Sequence, residues 1–524
     1  LIVDLERAST YEVPRADVCV IGAGASGIAL SVELSRQGRR VLLLEGGGRD
    51  FEARSQDLYV GESMGLPHIG LYNGRCRVLG GTTTRWGGQI LEIDEHVFGP
   101  RPGVDGGAWP ILKQELMAAY ARATELEGLE QALVEPDTIW RELGFQVPDL
   151  GEELTTGFSR WCPVANFARL HGASLRVDPR IVVFLHANVC ELRLAEDGAT
   201  LRSVGASTLS GRRFEFQAPV FVLATGGIET CRLLLQPLPN GSVAPWGAHG
   251  LIGRYYQDHL SCFVATLPRG ALASAGNFDY VAARGFRYHP KLKLKPKTQA
   301  RLGTLDVCGT VALTSNGVDH LARTYETLRF WQTRQWRSIT PSRAWHFALH
   351  AHKLLWHRFP YTRRATAAGH GAEVRLCVHC EQEPLSAGRI TLGNERDRLG
   401  LLRVRTDWRT SSLELHSIRA YVGVIKHEFA ARGLGAVLVD AGVESDDALL
   451  CSRIQESFHH IGGTRMGLGP ADGVVNPDLK LFGTRNAYVC SSSVFPSAGF
   501  ANPTHTVLAL AVRLAAHLAG PAAR

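Results

Sequence analysis

No run of 18 apolar residues occurs in the 524-residue chain. A helix that spans a bilayer needs about that many, so no transmembrane segment is expected. The opening LIVDLERAST has no basic stretch ahead of an apolar one, so no signal peptide is expected. The chain starts at Leu1, not Met, so trimming of a few residues is expected. Close cysteine pairs are scarce: of eleven cysteines only Cys377 and Cys380, in CVHC, lie near each other. Zinc would require two more ligands at matching spacing, and the neighbouring sequence has no second CxxC. No metal is therefore expected. Scattered thiols fit a reducing compartment, and the location expected is cytoplasmic. No serine stands in a hydrolase pattern with an acid and a histidine, which argues against hydrolysis.

Charge is present but uneven. The net charge of the chain is +7. From 321 to 364 there are nine Lys/Arg and one acid, interleaved with Trp331, Trp336, Trp345 and Trp356. Two readings stand side by side. One is a docking face for a membrane surface or protein acceptor, or a contact between copies in a homo-oligomer. The other is a helical segment whose arginines snorkel over a Trp-rich core face. No recognition fold accompanies the charge, so nucleic acid is not an expected partner.

ADVCVIGAGASGIALSVELSRQGRRVLLLEGG has the order strand, turn, helix, strand. Gly22, Gly24 and Gly27 fall at GxGxxG spacing inside that context, which marks a dinucleotide site. Gly22 permits the turn, Gly24 lets backbone approach a pyrophosphate, and Gly27 lets helix and strand pack closely. The helix start at Ala25 and Ser26 offers N–H donors to phosphate. Glu45 ends the second strand, where it can accept both hydroxyls of an adenosine ribose. An acid there disfavours a 2′-phosphate.

GRCRVLGGTTTRWGGQI, residues 74–90, is rich in glycine and short hydroxyls. Gly81, Thr82, Thr83, Trp86 and Gly87 suit close wrapping of a planar isoalloxazine, which favours FAD over a nicotinamide that must come and go. Gln89 is a weaker candidate for substrate contact. Residues 187–198 and 214–235 return to strand and strand–turn–helix patterns, with Val189 and Ala224 expected along the cofactor. The fold class expected is α/β: a Rossmann-like FAD-binding domain with a discontinuous α+β substrate domain built on an antiparallel sheet. Residues 1–255 are expected to form the FAD-binding domain, with an inserted glycine-rich, flavin-contacting and partly substrate-domain segment, 256–450 the substrate-binding domain, and 451–524 the return to the FAD-binding domain with the catalytic pair.

That return carries ESFHHIGGTRMG, residues 456–467. In extended chain adjacent side chains point to opposite sides, so only one of His459 and His460 is expected to face the cavity. Further on, GFANPTHTVLALAVRLAAHLAG reads as a buried helix. Asn502 suits its N-cap and Pro503 its first position, with Thr504 following. The positive end of this helix suits the negative charge of a reduced flavin. The chemistry expected is alcohol oxidation, with a neutral histidine accepting the hydroxyl proton.

These stretches resemble the glucose–methanol–choline (GMC) oxidoreductase family. The resemblance rests on VIGAGASG with Glu45, VLGGTTTRWGG, VFVLATGGIETCRLLL, GLIGRYYQDH and the paired C-terminal blocks. It implies bound FAD and oxidation of CH–OH groups. It maps the base histidine to His460 and the second active-site residue to Asn502, with His505 as a rival. NPTHTVLALAVRLA is most similar to the pyranose oxidase and sugar-dehydrogenase branch, which implies a secondary hydroxyl, C2 or C3, of a pyranose or glycoside. Oxygen or another acceptor then takes the electrons. Covalent members carry a flavin-linked histidine where this chain has Arg85, so non-covalent FAD is expected. Ser491 stands where many members place an Asp near the flavin phosphates. A sterol or other apolar alcohol, and a non-enzymatic flavoprotein module, are the alternatives.

Overall fold

The computed structural model describes residues 1–524 except 9–11, 240, 269–279, 315–326, 328–339, 351–372, 386 and 521–524. The basic stretch 321–364 therefore lies outside the described residues, apart from 327 and 340–350. Within it the helix Pro341–His350 leaves Trp345 69% exposed.

VCVI at Val18–Ile21 and VLLL at Val41–Leu44 are short apolar runs, buried on both faces, as a central parallel sheet demands. Between them runs the helix Ala25–Arg36, which stops at Gly38 in left-handed backbone. The strands belong to a six-stranded parallel sheet of order Ile2–Asp4, Ile181–Leu185, Val41–Leu44, Val18–Ile21, Val220–Leu223, Ala487–Val489. The last strand comes from the far end of the chain. The C-terminal helix Pro503–Ala519 packs on Ala25–Arg36 and Met117–Leu126, which explains its nearly unbroken apolar sequence. Residues 188–217 add a three-stranded antiparallel sheet.

A second hydrophobic core forms around a nine-stranded sheet. Its path runs Leu438–Val439, Leu260–Leu267, Glu373–Cys380, Val307–Thr314, Phe286–Leu294, Leu154–Trp161 and Gln89–Ile90. Gln89–Ile90 and Leu154–Trp161 precede residue 256, so this sheet also draws on chain inserted within 1–255. GRITLGN and LRVRTDW do pair antiparallel, but in a separate three-stranded sheet with Glu62–Gly65. Gly61-Glu62-Ser63-Met64-Gly65 has nucleophile-elbow spacing, yet it forms an exposed strand and not a strand-to-helix turn. All eleven cysteines are free thiols, Cys377 and Cys380 included. No helix among the described residues is long and apolar enough to cross a membrane.

Candidate active site

A cavity of about 2050 Å³ runs from the Gly22–Ser26 turn to the face of the nine-stranded sheet. Single small-molecule sites span about 300–1,000 Å³, so this one has room for a cofactor and a substrate together. Every residue expected against the cofactor lines it, with one exception. Gly27 sits behind the wall, where an added Cβ would stand 1.9 Å from the Gly22 carbonyl oxygen. That is the close helix–strand approach expected of it.

The wall fits FAD. Gly24 faces open space, so a side chain there would project where a pyrophosphate must approach. An added Cβ on Gly81 would stand 2.9 Å from the Gly24 Cα, which closes the glycine-rich loop over the first turn. Glu45 is buried and anchored: Oε2 accepts the Ala23 N–H at 3.1 Å and Oε1 the Gly47 N–H at 2.8 Å. Each carboxylate oxygen keeps acceptor capacity for a ribose hydroxyl. Trp86 donates its indole N–H to the Ala165 carbonyl at 2.7 Å. The Arg85 guanidinium lies 4.0 Å over the Phe51 ring.

The two histidines depart from the expected arrangement. Both line the cavity. Alternation fails because the short strand Gln455–Glu456 has ended and Phe458 takes φ +60°. Asn502 meets His459, not His460: its Nδ2 lies 3.1 Å from His459 Nε2. On the other side of that ring, Nδ1 stands 2.8 Å from Nδ1 of His259. Asn502 occupies the N-cap position, but its side chain makes no cap hydrogen bond, so the amide is left to the cavity. His505 faces away, with Nδ1 2.9 Å from a Glu127 carboxylate oxygen and its ring stacked on Tyr120.

His460 belongs to a different cluster. It lies 5.5 Å, ring to ring, from His68, and its Nε2 is buried without a hydrogen-bond partner. His68 Nε2 stands 3.3 Å from Asp258 Oδ2 and 3.1 Å from the Tyr256 hydroxyl. His68, Asp258 and His460 thus bring three metal-capable side chains together, from segments too far apart for any sequence spacing to reveal. Asp258 also organises backbone. Its Oδ1 accepts the N–H groups of His259 at 2.7 Å, His459 at 2.9 Å and Ser457 at 3.2 Å. The IGG turn follows, where a Cβ on Gly462 would stand 1.9 Å from the Tyr255 carbonyl oxygen. Ser492 donates to the His460 carbonyl at 2.6 Å.

Burial, reinforced by the neighbouring His259, pushes His459 down to about 3, although Asp258 works in the other direction. Burial likewise brings His460 down to about 3. Both rings are therefore neutral at physiological pH, each with one ring nitrogen that carries a lone pair. Burial would raise Asp258, but hydrogen bonding to His68 and the surrounding imidazoles outweigh it and hold the carboxyl at about 2. Asp258, His259 and His68 were not singled out as site residues in the sequence. A signal was there for the first two in the tail of GLIGRYYQDH. A lone His68 gave none.

Fold and site together define a flavoprotein oxidoreductase of CH–OH groups with FAD as cofactor. Residues 384–511 match the family model of the GMC oxidoreductases. It is 24% identical to a 2-methyl-1,2-propanediol dehydrogenase of Mycolicibacterium austroafricanum over 96% of this chain and 95% of that one. It is 30% identical to a C-glycoside 3-oxidase of Microbacterium trichothecenolyticum over 29% of this chain and 28% of that one. Among solved structures, pyridoxine 4-oxidase from Mesorbium loti superposes with TM-score 0.59 at 18% identity, covering 96% and 99% of the two chains. A variant of the formate oxidase of Aspergillus oryzae RIB40 gives 0.54 at 17%, covering 97% and 98%. The solved structures share the fold.

Proposed function

We propose that this enzyme oxidises a secondary hydroxyl, at C2 or C3, of a pyranose sugar or glycoside, with His459 as general base and Asn502 positioning the hydroxyl. The observation that carries the base assignment is the 3.1 Å approach of Asn502 Nδ2 to His459 Nε2 inside the cavity. The sugar reading draws on the C-glycoside 3-oxidase relative and on the cavity's mixture of aromatic and hydrogen-bonding walls.

Bound FAD supplies the acceptor for the hydride of the carbinol C–H. The chain supplies pose and proton transfer. Asn502 cannot act as a base, but its amide can hold the substrate oxygen. His459 then takes the hydroxyl proton on Nε2 as the C–H bond breaks. With its Nδ1–H directed at His259 Nδ1, the Nε2 lone pair faces the Asn502 Nδ2–H in the cavity, where a substrate hydroxyl can come between them. Gly22, Gly24, Ala25, Ser26, Glu45 and Ser491 hold the dinucleotide, while Gly81, Thr82, Thr83 and Trp86 bound its flavin end. With Arg85 in place of a linking histidine, the FAD is held without a covalent bond.

The test is anaerobic bleaching of the flavin. Methyl glucosides, 2-methyl-1,2-propanediol and cholesterol should be compared on the purified holoenzyme. Preferential bleaching by the glucoside is expected, and preferential bleaching by the diol or the sterol would displace the sugar reading. His459→Ala is expected to retain FAD and slow flavin reduction about 10²–10⁴-fold. Loss of that size in His460→Ala, with His459→Ala near wild type, would return the base to His460.

A further inference from the structure

Phe286–Leu294 reads FRYHPKLKL, and its alternation puts His289, Lys291 and Lys293 on one face of the strand. Lys293 is paired with Asp94 at 2.5 Å. Lys291 is 5% exposed and lines the cavity, yet it forms no hydrogen bond or ion pair among the described residues. Among the described residues, the carboxylates on the cavity wall are already engaged. Glu45 accepts two backbone N–H groups, Glu229 pairs with Arg75, Asp397 with Arg232, and Glu456 accepts the Gly70 N–H. A buried ammonium without a counter-charge is costly unless it sheds its proton or a ligand brings the anion.

Among the described residues, rings and hydroxyls surround Lys291 in the cavity. His289 has a buried Nε2 without a partner, and Tyr280 stacks on its ring at 4.3 Å. Trp161 meets Tyr280 edge-on at 5.2 Å. Thr310 Oγ1 lies 3.1 Å from His379 Nε2. Lys291 also shares the chamber of the catalytic pair: its charge acts on His459, His289 and His379, lowering all three. No arginine of the nine-stranded sheet lines this chamber among the described residues. One ammonium without a guanidinium fork suits a singly charged carboxylate better than a phosphate.

We propose that Lys291 is a substrate-binding residue that receives a carboxylate, so that the preferred substrate is an acidic sugar or glycoside of the uronate type. This rests on the reading of the site as a sugar-oxidising one. The carboxylate sits at Lys291 while a ring hydroxyl reaches His459 and Asn502.

Two measurements on the holoenzyme test it. In thermal unfolding, D-glucuronate should raise the Tm of wild type more than D-glucose at equal concentration, and Lys291→Met should abolish that difference. Without ligand the Met variant should melt at or above wild type, because it removes an unpaired buried charge. In anaerobic flavin reduction, methyl glucuronide should show a KM about 10–100-fold lower than its amide, and the ratio should approach 1 in Lys291→Met. Equal shifts by glucuronate and glucose, or a charged-to-neutral ratio unchanged in the variant, would overturn the proposal. Bleaching by neutral glucoside together with no preference for the uronide sinks Lys291 alone and leaves the sugar reading standing. A Lys291-dependent response to a non-sugar hydroxy acid, with every glycoside inert, sinks the sugar reading and keeps the carboxylate site.

Discussion

Asn502 shows how one side chain can have two plausible tasks and perform only one. Its position before Pro503 suits an N-cap, and loss of a working cap costs about 1 kcal/mol. Here the amide turns to His459 instead. Asn502→Ala should therefore lower the rate of flavin reduction at least about 10-fold while unfolding free energy changes by less than about 0.5 kcal/mol, measured by urea denaturation. A stability loss near 1 kcal/mol would assign the residue to the helix. His259 offers a second residue-scale prediction. Its Nδ1 lies 2.8 Å from His459 Nδ1, where accepting a hydrogen bond would fix the tautomer of the proposed base. His259→Phe should slow flavin reduction and shift its pH profile with KM little changed, whereas Gln, which retains an acceptor, should recover part of the rate. Equal effects of Phe and Gln would mean that only packing is involved.

At the scale of elements, glycine-rich turns bring distant segments to the same point. A Cβ on Gly462 would run into the Tyr255 carbonyl, and the residue also takes φ +74°. Gly462→Ala should destabilise the fold by at least about 1 kcal/mol and displace the histidines just ahead of it. Gly24 behaves in the opposite way, since nothing stands within 4 Å of its added Cβ. Gly24→Val should fold with near wild-type Tm in the FAD-free form but purify without flavin absorbance. A yellow, fully loaded Gly24→Val protein would show that the pyrophosphate lies elsewhere. Both elements were legible in the sequence as motifs. The departure came between motifs, where one left-handed residue, Phe458, ended the extended chain and let two adjacent histidines reach the same cavity.

For the molecule as a whole, the buried neutral histidines set an acid limit. Burial holds His289, His459 and His460 at about 3, and His379 well below its ordinary value. Unfolded, each titrates near 6.5. Between these values the unfolded chain binds more protons than the native one, so stability present above about pH 6.5 is lost as pH falls towards 3. Asp258 and Asp306, both held at about 2, add to the loss below the ordinary carboxylate range. Urea midpoints should fall steadily from pH 7 to pH 4. A flat midpoint would show that these rings are already solvated.

The sequence by itself determined the dinucleotide turn, the central strands, the buried last helix and the chemical class of the reaction, because each depends on patterns within a few tens of residues. The local strand pattern at 286–294 was equally available, but nothing in it says which lysine finds an acid. Only the tertiary structure decided that Asn502 meets His459 and that His460 joins His68 and Asp258. It also left Lys291 without a counter-ion among the described residues. These outcomes depend on contacts between segments hundreds of residues apart, and their geometry follows from how two cores and their sheets close around one cavity.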